Sequence, residues 1–491
     1  MTWSQVTASF WLRARTGYAL TLRNVSMHFD LSRWLRMMPM VAGLMVVLIC
    51  AGAFVFSMIR PAGVVGESRV VMARESGQIY VNANGRLYPA LNLASARLIS
   101  GSYETPEGVT QASIMGYPIG AKVGIAGAPD DTPVTNGDAT SVAVCQRADA
   151  DSVSGRVSVT VLDGGIKPGN RAGELSSGEA LLGTLNGRTY LVWNGMKSLV
   201  DPSDRIVLGA LGIDPDTAAH PAPLGGEVGN AIPSNLPLVE PVVPGAGDPV
   251  PWKLGVPAGG VVRSEVPGRG TQLYVVLAAG VQKVSPTVAA MIRSENAFGQ
   301  PSAPLVSPDA LADVPEVTVV QVGQYPPDPV RIVPVSERPV TCWWWQRGRT
   351  SASATARVLA GTELPIAASA DAAVVPVVST HTGVDGADAV YMAADAANWV
   401  AATGNADGSS TREALWWISR SGTRFGVPGG GSQSRSSLGL TMEPLLMPWS
   451  VLRLFPSGLP EGVALTRSDA MTQHDNLPSD PSPGPLAPAG S

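Results

Sequence analysis

Few residues of this chain have the types and the spacing that catalysis requires. A phosphate-binding loop of the Walker type places a lysine directly before Ser or Thr, and neither Gly-Lys-Ser nor Gly-Lys-Thr occurs in the sequence. Gly120, Gly124 and Gly127 come nearest to such a loop, but Lys122 precedes the position from which a lysine would reach a phosphate. The sequence also lacks the Gly-x-Ser-x-Gly elbow of a serine hydrolase. We therefore interpret residues 120–127 as a turn-rich segment.

The histidines do not form a recognisable site either. The chain has four of them, and none shows the spacing of metal ligands: His28, His220, His381 and His474. His474 and Asp475 could form half of a catalytic pair, although a local hydrogen bond is the simpler interpretation. The sequence thus predicts no catalytic, metal-binding or cofactor-binding residue.

Two of the three cysteines can react with each other. Cys50 lies in an apolar run and is interpreted as a small apolar residue, whereas Cys145 and Cys342 both fall in the part of the chain expected outside the membrane. A disulfide between them would close a loop of about 200 residues and stabilise the fold by roughly 5 kcal/mol on the chain-entropy model. Two separate buried thiols are the alternative. We predict the disulfide.

Aromatic residues are concentrated at two places. Trp343, Trp344 and Trp345 follow Cys342 directly, and three consecutive residues of a strand cannot all face one side. We expect one face of this strand to pack on the disulfide and the core, and the other on a neighbouring module or partner. A sugar-stacking platform is the functional alternative. Trp416 and Trp417 are likewise predicted to be core or interface residues.

One long apolar segment predicts a membrane anchor. Met37 to Ile59 is uncharged, is flanked by Arg36 and Arg60, and would span roughly 35 Å as a helix. Pro39 is expected in the first turn of this helix, where its missing N–H costs little. A secretory signal peptide would have a shorter apolar core and a nearby cleavage site. The sequence therefore predicts a single transmembrane helix.

Charge predicts the orientation of this helix. Residues 1–36 contain five arginines and one acid, Asp30, and an excess of arginine marks the cytoplasmic side. Residues 1–36 are thus predicted to be a cytoplasmic amphipathic segment, which would lie on the membrane or on a partner through Trp3, Val6, Phe10, Tyr18 and Leu22. The whole chain carries a net charge of −5, which leaves the exported part acidic and gives no basic cluster for nucleic acid.

The exported part contains a weak internal repeat. In four places an aromatic-centred run of strand type precedes a turn glycine by a few residues, as in a β-hairpin: Ile79–Val81 with Gly85, Thr189–Leu191 with Gly195, Leu273–Val275 with Gly280, and Trp416–Ile418 with Gly422. Helical stretches follow at Ala90–Ile99 and Pro286–Glu295. The spacing is irregular, so we predict four related modules with insertions.

Other runs predict a separate central sheet. They alternate polar and apolar residues and lie between the modules: Arg156–Leu162, Val317–Val322, Val330–Val335 and Ala354–Ile366. Cys145 and Cys342 flank this set, which makes a disulfide-tied sheet plausible. Residues 214–260 are rich in Pro and Gly and are interpreted as a connector. Residues Pro478 to Ser491 are predicted to be a flexible, Pro-rich tail.

Several stretches together resemble the EccB family, a core membrane component of the mycobacterial type VII (ESX) secretion system. The resemblance runs from about Gln5 to Leu477. It is carried by these stretches: Tyr88–Ile99, Cys342–Trp345, Ala414–Ile418, Arg424–Val427, Leu438–Thr441, Leu465–Ala470 and His474–Asp475. Ser4–Thr7 also resembles the cytoplasmic motif of the family.

The resemblance implies both a fold and an assembly. The implied fold is α+β and β-rich: one transmembrane helix, then an elongated periplasmic part, residues 60–477, with four related hairpin-helix repeat domains around a central β domain closed by a disulfide. The implied partners are EccC, EccD, EccE, a mycosin protease and a second EccB, in the inner membrane. The implied role is a structural subunit of the secretion machine. Because the family is often labelled an ATPase, ATP hydrolysis without a Walker loop is the alternative.

Overall fold

The structure, a computed structural model, describes residues 3–23, 31–59, 65–148, 157–266, 268, 270–377, 386–429 and 433–474. The predicted tail at 478–491, together with His28, His381 and Asp475, lies outside these residues. Within them the chain is α+β, with short helices and many short strands.

The helices are long at the N-terminus and short elsewhere. They are α1 (Trp3–Leu22), α2 (Leu31–Ile59), α3 (Leu93–Ser100), α4 (Gln111–Met115), α5 (Arg205–Leu211), α6 (Pro215–Ala219), α7 (Gly226–Ala231), α8 (Pro286–Glu295), α9 (Pro308–Ala312), α10 (Gln433–Ser437), α11 (Trp449–Leu452) and α12 (Arg467–Ala470), with a 3₁₀ helix at Ala368–Ala373.

The strands belong to six sheets. They are β1 (Val70–Ala73), β2 (Ile79–Ala83), β3 (Arg86–Pro89), β4 (Glu107–Val109), β5 (Lys122–Val123), β6 (Ala139–Ala148), β7 (Val157–Asp163), β8 (Ala172–Glu174), β9 (Glu179–Leu185), β10 (Arg188–Trp193), β11 (Met196–Leu199), β12 (Ala222–Pro223), β13 (Val261–Val266), β14 (Gly270–Leu277), β15 (Gly280–Val284), β16 (Arg331–Ile332), β17 (Val340–Gly348), β18 (Thr355–Gly361), β19 (Val375–Pro376), β20 (Ala389–Met392), β21 (Trp399–Thr403), β22 (Leu415–Ile418), β23 (Arg424–Val427), β24 (Leu445–Pro448) and β25 (Gln473–His474).

Helix α2 contains the apolar run. Its segment Met37–Val55 is long and apolar enough to cross a bilayer, and none of it is buried in the protein. The helix begins at Leu31, six residues before the apolar run, so Pro39 lies inside it and not in its first turn as expected. A proline at such a position removes one backbone hydrogen bond. Membrane helices tolerate this loss because neighbouring groups bond to the freed backbone carbonyl.

Helix α1 covers most of the predicted cytoplasmic segment. Its apolar side chains Phe10, Leu12, Leu20 and Leu22 are all exposed. At 100° per residue the predicted anchors Val6, Phe10, Tyr18 and Leu22 fall within about 160° of the helix surface, whereas Leu12 and Leu20 lie outside this arc.

Four sheets share one plan. In each, three consecutive antiparallel strands form a meander, and the aromatic-centred run found in the sequence is the middle strand: β2, β10, β14 and β22. In three of them a fourth strand pairs parallel with the first strand of the meander, namely β4 with β1, β12 with β9 and β24 with β21. The β13 meander has a single parallel bridge, Arg263 to Leu305, at the same place.

The turns explain why two of these meanders form. Asn84–Gly85 and Asn194–Gly195 both have positive φ, the conformation of the tight hairpin turn whose twist matches that of the strands. A short helix then follows the third strand of each meander and leads the chain back to the edge beside the first: α3, α5, α8 and α10.

A seven-stranded sheet lies between the meanders in sequence. Its order is β19-β20-β7-β6-β17-β18-β8, and the expected runs at 156–162 and 354–366 form its strands β7 and β18. Two expectations were wrong. Residues 317–322 form no strand, and β16, from the run at 330–335, pairs with β9 of the second meander instead of the central sheet. A short alternating run does not indicate which sheet edge has unpaired backbone N–H and C=O groups to which it can bond.

The apolar cores are shared between the sheets. One core joins the central sheet to the second and fourth meanders, and another joins the second to the third through α5 and α8. A further core joins the first to the fourth, with Leu98 of α3 beside Trp399 and Phe425. The N-terminal and C-terminal regions of the chain after α2 also meet, because β25 pairs antiparallel with β5.

Candidate functional site

The centre of the described fold is a disulfide between two neighbouring strands. Cys145 on β6 and Cys342 on β17 lie directly opposite each other and are bonded, as predicted, across 197 residues of sequence. Both are buried. They belong to an apolar cluster on one face of the central sheet, with Leu162, Leu359 and other side chains. The disulfide therefore ties together the two halves of a sheet whose strands come from distant parts of the chain.

The three consecutive tryptophans divide between the two faces of this sheet. Trp343 and Trp345 are 0 % exposed and lie in the core that joins the sheet to the second and fourth meanders. A sugar ring has no access to a fully buried indole, so a sugar-stacking platform at these two residues is ruled out. They are core residues that attach the sheet to its neighbours.

Trp344 faces the side of the disulfide. It is half-buried, its Nε1–H donates to Ser141 Oγ at 3.0 Å, and the guanidinium of Arg357 lies 5.8 Å from its ring centroid. Arg357 in turn pairs with Glu174. Trp344 thus makes polar contacts, with Ser141 and Arg357, on the side of its ring that is not buried.

Trp416 and Trp417 likewise face opposite sides of β22. Trp417 is buried in the core shared by the first and fourth meanders, 5.5 Å from the ring of Phe425, and its Nε1–H donates to the carbonyl of Pro133. Trp416 is half-buried and lies 5.8 Å from Trp449 of α11.

The glycine-rich segment near Lys122 is a structural junction. Lys122 and Val123 form β5, and the backbone N–H groups that a phosphate loop would need are already bonded: that of Gly120 to the carbonyl of Leu87, and that of Gly124 to the carbonyl of Thr472. A nest of free N–H groups is what binds phosphate in a Walker loop. This segment therefore does not have the geometry of a nucleotide loop.

His474 takes part in the same junction. One nitrogen of its ring lies 2.7 Å from the carbonyl oxygen of Gly124. His220 is exposed and lies near Asp216, one turn earlier in the chain. Within the described ranges no three His, Cys, Asp or Glu side chains are grouped so that they could hold a metal ion.

Asp163 is an unusual buried carboxyl group. It ends β7, is 0 % exposed, and its Oδ1 accepts the N–H of Ala397 at 2.9 Å, while Oδ2 has no protein partner in the described part of the chain. Burial raises its pKa to about 7, and the nearby charge of Asp395 adds to this increase. Ala397 lies in the segment between β20 and β21. Its hydrogen bond to Asp163 therefore joins the central sheet to the fourth meander.

Glu179 is the opposite case. Burial alone would raise its pKa, but hydrogen bonds, chiefly from Arg331 at 2.5 Å and Arg338 at 3.1 Å, lower the pKa to about 2. Arg331 belongs to β16 and Glu179 begins β9. This ion pair fixes the chain that returns from the third meander onto the second.

The described cavities are shallow. One of about 170 Å³ is lined by Thr135, Ala396, Asn398 and Arg420, among others, and one of about 290 Å³ lies beside the disulfide between Arg147 and Arg171. The arginines of the second cavity are paired with Glu363 and Asp371.

The chain is similar to known proteins over nearly its whole length. A family model described as "Type VII secretion system ESX-1, transport TM domain B" matches residues 1–479. The chain belongs to this family, the EccB family of type VII secretion systems. It is 37 % identical over 488 residues to a protein of Mycobacterium tuberculosis named "ESX-5 secretion system ATPase EccB5", covering 98 % of this chain and 95 % of that protein. It is 32 % identical to "ESX-3 secretion system ATPase EccB3" of Mycolicibacterium smegmatis, covering 97 % and 91 %.

Solved structures resemble the whole chain. A chain of "Structure of an intact ESX-5 inner membrane complex" aligns with a TM-score of 0.78 and 36 % identity, covering 99 % of this chain and 98 % of that one. A chain of "Structure of EccB3 dimer from the ESX-3 core complex" aligns with a TM-score of 0.72 and 30 % identity, covering 82 % and 100 %. The β-rich part after one N-terminal membrane helix is therefore a fold shared with these proteins.

Sequence reasoning missed three residues that the structure brings forward. Asp163, Glu179 and Arg424 were not distinguished from other charged residues, because their burial depends on chain segments far away in the sequence. A signal was present for Asp163: it directly follows the alternating run at 156–162 and so marks the end of a half-buried strand.

Proposed function

We propose that this protein is a structural membrane subunit of a type VII secretion machine and scaffolds its periplasmic part. The observation that carries the proposal is the alignment, over 99 % of this chain, with a chain from an intact ESX-5 inner membrane complex. The fold supports it, because ionisable side chains join its sheets: Glu179 pairs with Arg331 and Arg338, and Asp163 accepts the N–H of Ala397.

We propose a single-pass topology with the N-terminus in the cytoplasm. Helix α2 supplies the membrane span, and the arginine excess of residues 1–36 supplies the orientation. Residues 1–36 would then contact cytoplasmic or membrane-embedded partners, and residues 60–477 would lie in the periplasm. A reporter enzyme fused after Ser491 that is active only in the cytoplasm would contradict this orientation.

The four meanders are proposed to be four related repeat domains around the central β domain. Their common strand order, the aromatic middle strand and the parallel fourth strand in three of them support this interpretation. The third meander is the most divergent, since only a single bridge stands in place of its fourth strand.

The proposed partners are EccC, EccD, EccE, a mycosin protease and a second copy of this chain. A relative occurs as a dimer in an ESX-3 core complex, and this supports pairing between copies. The test is blue-native electrophoresis of solubilised membranes, followed by mass spectrometry of the band. We expect this chain to co-migrate with the other core subunits. Migration as a free monomer would overturn the proposal.

ATP hydrolysis is the second candidate function, because curated relatives are named ATPases. Phosphoryl transfer needs donors and a cation around the transferring phosphate. The junction at Gly120–Gly124 does not offer free backbone donors. We expect the purified periplasmic part to hydrolyse ATP no faster than a matched preparation without it. A robust rate that one substitution abolishes without unfolding the protein would favour the enzyme instead.

A further inference from the structure

One cationic side chain in the fourth meander lacks an anionic partner in the described structure. Arg424, at the start of β23, is half-buried, and its Nε and Nη1 atoms are buried without any hydrogen-bond acceptor. No described carboxylate forms an ion pair with it. A guanidinium has five N–H donors and no acceptor, so a buried one is usually paired. The described chain therefore supplies no acceptor to these two atoms.

Aromatic rings hold this guanidinium in place. Its Cζ lies 5.0 Å from the ring centroid of Trp416 and 5.2 Å from that of Trp449, while the two rings are 5.8 Å apart. Gly426, next on the same face of β23, lies beside the ring of Trp416, which a Cβ at this position would meet at 3.6 Å, an ordinary van der Waals contact. We call Trp416, Arg424 and Trp449 the Trp-Arg-Trp cluster.

The cluster reaches the surface. Trp449 is 41 % exposed, unusual for a tryptophan in a chain where Trp343, Trp345 and Trp399 are fully buried. Trp416 Nε1 is buried without an acceptor. Tryptophan and arginine are the residues most enriched at the energetic centre of protein interfaces. An exposed indole beside an unsatisfied guanidinium has the composition of such a centre.

A second arginine makes the cluster electropositive. Burial lowers the pKa of Arg424, and the charge of Arg453 lowers it further, which means that the two cations are close enough to repel each other. Arg453 directly follows α11, and its N–H bonds to the carbonyl of Trp449, so it is fixed to the same helix as the exposed indole. A carboxylate beside Arg424 would relieve this repulsion.

We propose that the Trp-Arg-Trp cluster docks an acidic peptide segment of another subunit, with a carboxylate on Arg424 and an apolar side chain on Trp449. The inference deepens the proposed scaffold function and rests on it, since the docked segment would belong to the same membrane complex. Charge complementarity identifies the occupant: the cluster offers cations and aromatic faces, and an Asp or Glu flanked by an apolar residue matches both.

The direct test is peptide binding to the purified full chain in detergent. Two fluorescein-labelled, capped probes are compared: three repeats of Gly-Ser-Glu-Leu, and the same peptide with Gln for Glu. We expect the acidic probe to bind more tightly, with an affinity that falls with added salt. The Arg424→Gln variant should weaken this binding about tenfold, as for loss of a charge-assisted hydrogen bond.

The matched control is Arg188→Gln, which removes an exposed arginine from β10 of the second meander. Near-ultraviolet circular dichroism and the melting temperature show whether each variant is folded, and Trp449→Phe tests the aromatic contact without changing charge. Equal binding of the two probes, binding of neither, or an equal effect of the two arginine variants would each overturn the proposal.

A second measurement identifies the occupant in the assembled complex. A benzophenone amino acid replaces Trp449, the solubilised complex is purified and irradiated, and the cross-linked peptide is sequenced. We expect an acidic segment of a different subunit. A cross-link to a second copy of this chain would overturn the assignment. Absence of the chain from the purified complex would contradict the scaffold function, while the peptide measurement would still decide the docking site on its own.

Discussion

Cys145 and Cys342 face each other across adjacent antiparallel strands although 197 residues separate them in sequence. All of the second and third meanders lie within the loop that this bond closes. The central sheet is therefore held together by one covalent bond between its strands β6 and β17, in addition to their backbone hydrogen bonds.

Removing this bond should weaken the fold after α2 strongly. The double variant Cys145→Ser and Cys342→Ser is expected to lose about 5 kcal/mol of unfolding free energy on the chain-entropy model, since the closed loop is long. Denaturant unfolding of the purified full chain in detergent measures this loss. Cys50→Ser, in the membrane helix, is the control. A double variant as stable as the parent protein would show that the sheet does not depend on the disulfide.

Trp345 should be a major packing residue of the central sheet. Trp345→Ala is expected to cost about 3–5 kcal/mol, because it leaves a cavity between the sheet and its neighbouring meanders. Trp345→Phe should cost much less, since Trp345 Nε1 makes no hydrogen bond within the described protein. Thermal melts of the two variants compare them, with Trp344→Phe as the half-buried control. Similar losses for Ala and Phe would contradict the cavity argument.

Asp163 should make stability fall between about pH 4 and pH 7. Its folded-state pKa, about 7, is above the ordinary value of 3.8, so the folded state binds the proton more tightly than the unfolded state. Its contribution is fully favourable below pH 3.8 and is lost as the pH rises through 7. The slope of unfolding free energy against pH should be shallower in Asp163→Asn than in the parent.

Urea unfolding at pH 4.5, 5.5 and 6.5 measures this slope. Asp328→Asn, at an exposed position, is the control and should keep the slope of the parent. Asp395 is the ionisable neighbour that raises the pKa of Asp163, so Asp395→Asn should reduce the slope partly. Identical slopes for Asp163→Asn and the parent would show that this carboxyl group does not titrate in that range.

Glu179 should act in the opposite sense and at lower pH. Its folded-state pKa, about 2, is below the ordinary value of 4.5, so its contribution is present above pH 4.5 and is lost as the pH falls toward 2. Glu179→Gln is expected to cost about 1 kcal/mol at pH 7, the upper range for a partly exposed ion pair. The difference from the parent should shrink at pH 3.

Denaturant unfolding of Glu179→Gln and of the parent, at pH 7 and at pH 3, measures the difference in unfolding free energy at each pH. Glu337→Gln is the matched control, because Glu337 is more exposed and pairs with Arg331 but not with Arg338. A difference between Glu179→Gln and the parent that stays constant with pH would exclude an electrostatic origin.

The sequence predicted local elements better than their assembly. The middle strands of the meanders could be located because alternation and turn residues such as Asn84–Gly85 are local signals. The run at 317–322 alternates in the same way and forms no strand. Val317 N–H bonds to the carbonyl of Val281 on β15, but the N–H groups of Val319 and Val320 bond to the side chain of Gln282 and not to a strand. The attachment of β16 to β9 depends on contacts that no local pattern contains.

The site was predictable to a similar extent. The cysteine pairing followed from there being two exported cysteines, and the division of Trp343–Trp345 between two faces followed from the pleat of a strand. Arg424 gave no such signal. Its two aromatic neighbours come from different elements, β22 and α11, and its missing partner becomes apparent only when every nearby acceptor is known.

The pairing of β5 with β25 has a consequence for biosynthesis. Residues 65–123 are synthesised early, yet the core that contains Ala94 and Leu98 of α3 is completed by Leu465 and Ala470, which are synthesised near the end of the chain. One face of α3 therefore lacks its final contacts until almost the whole chain has been made. A chain that stopped before Leu465 would leave part of this apolar core open.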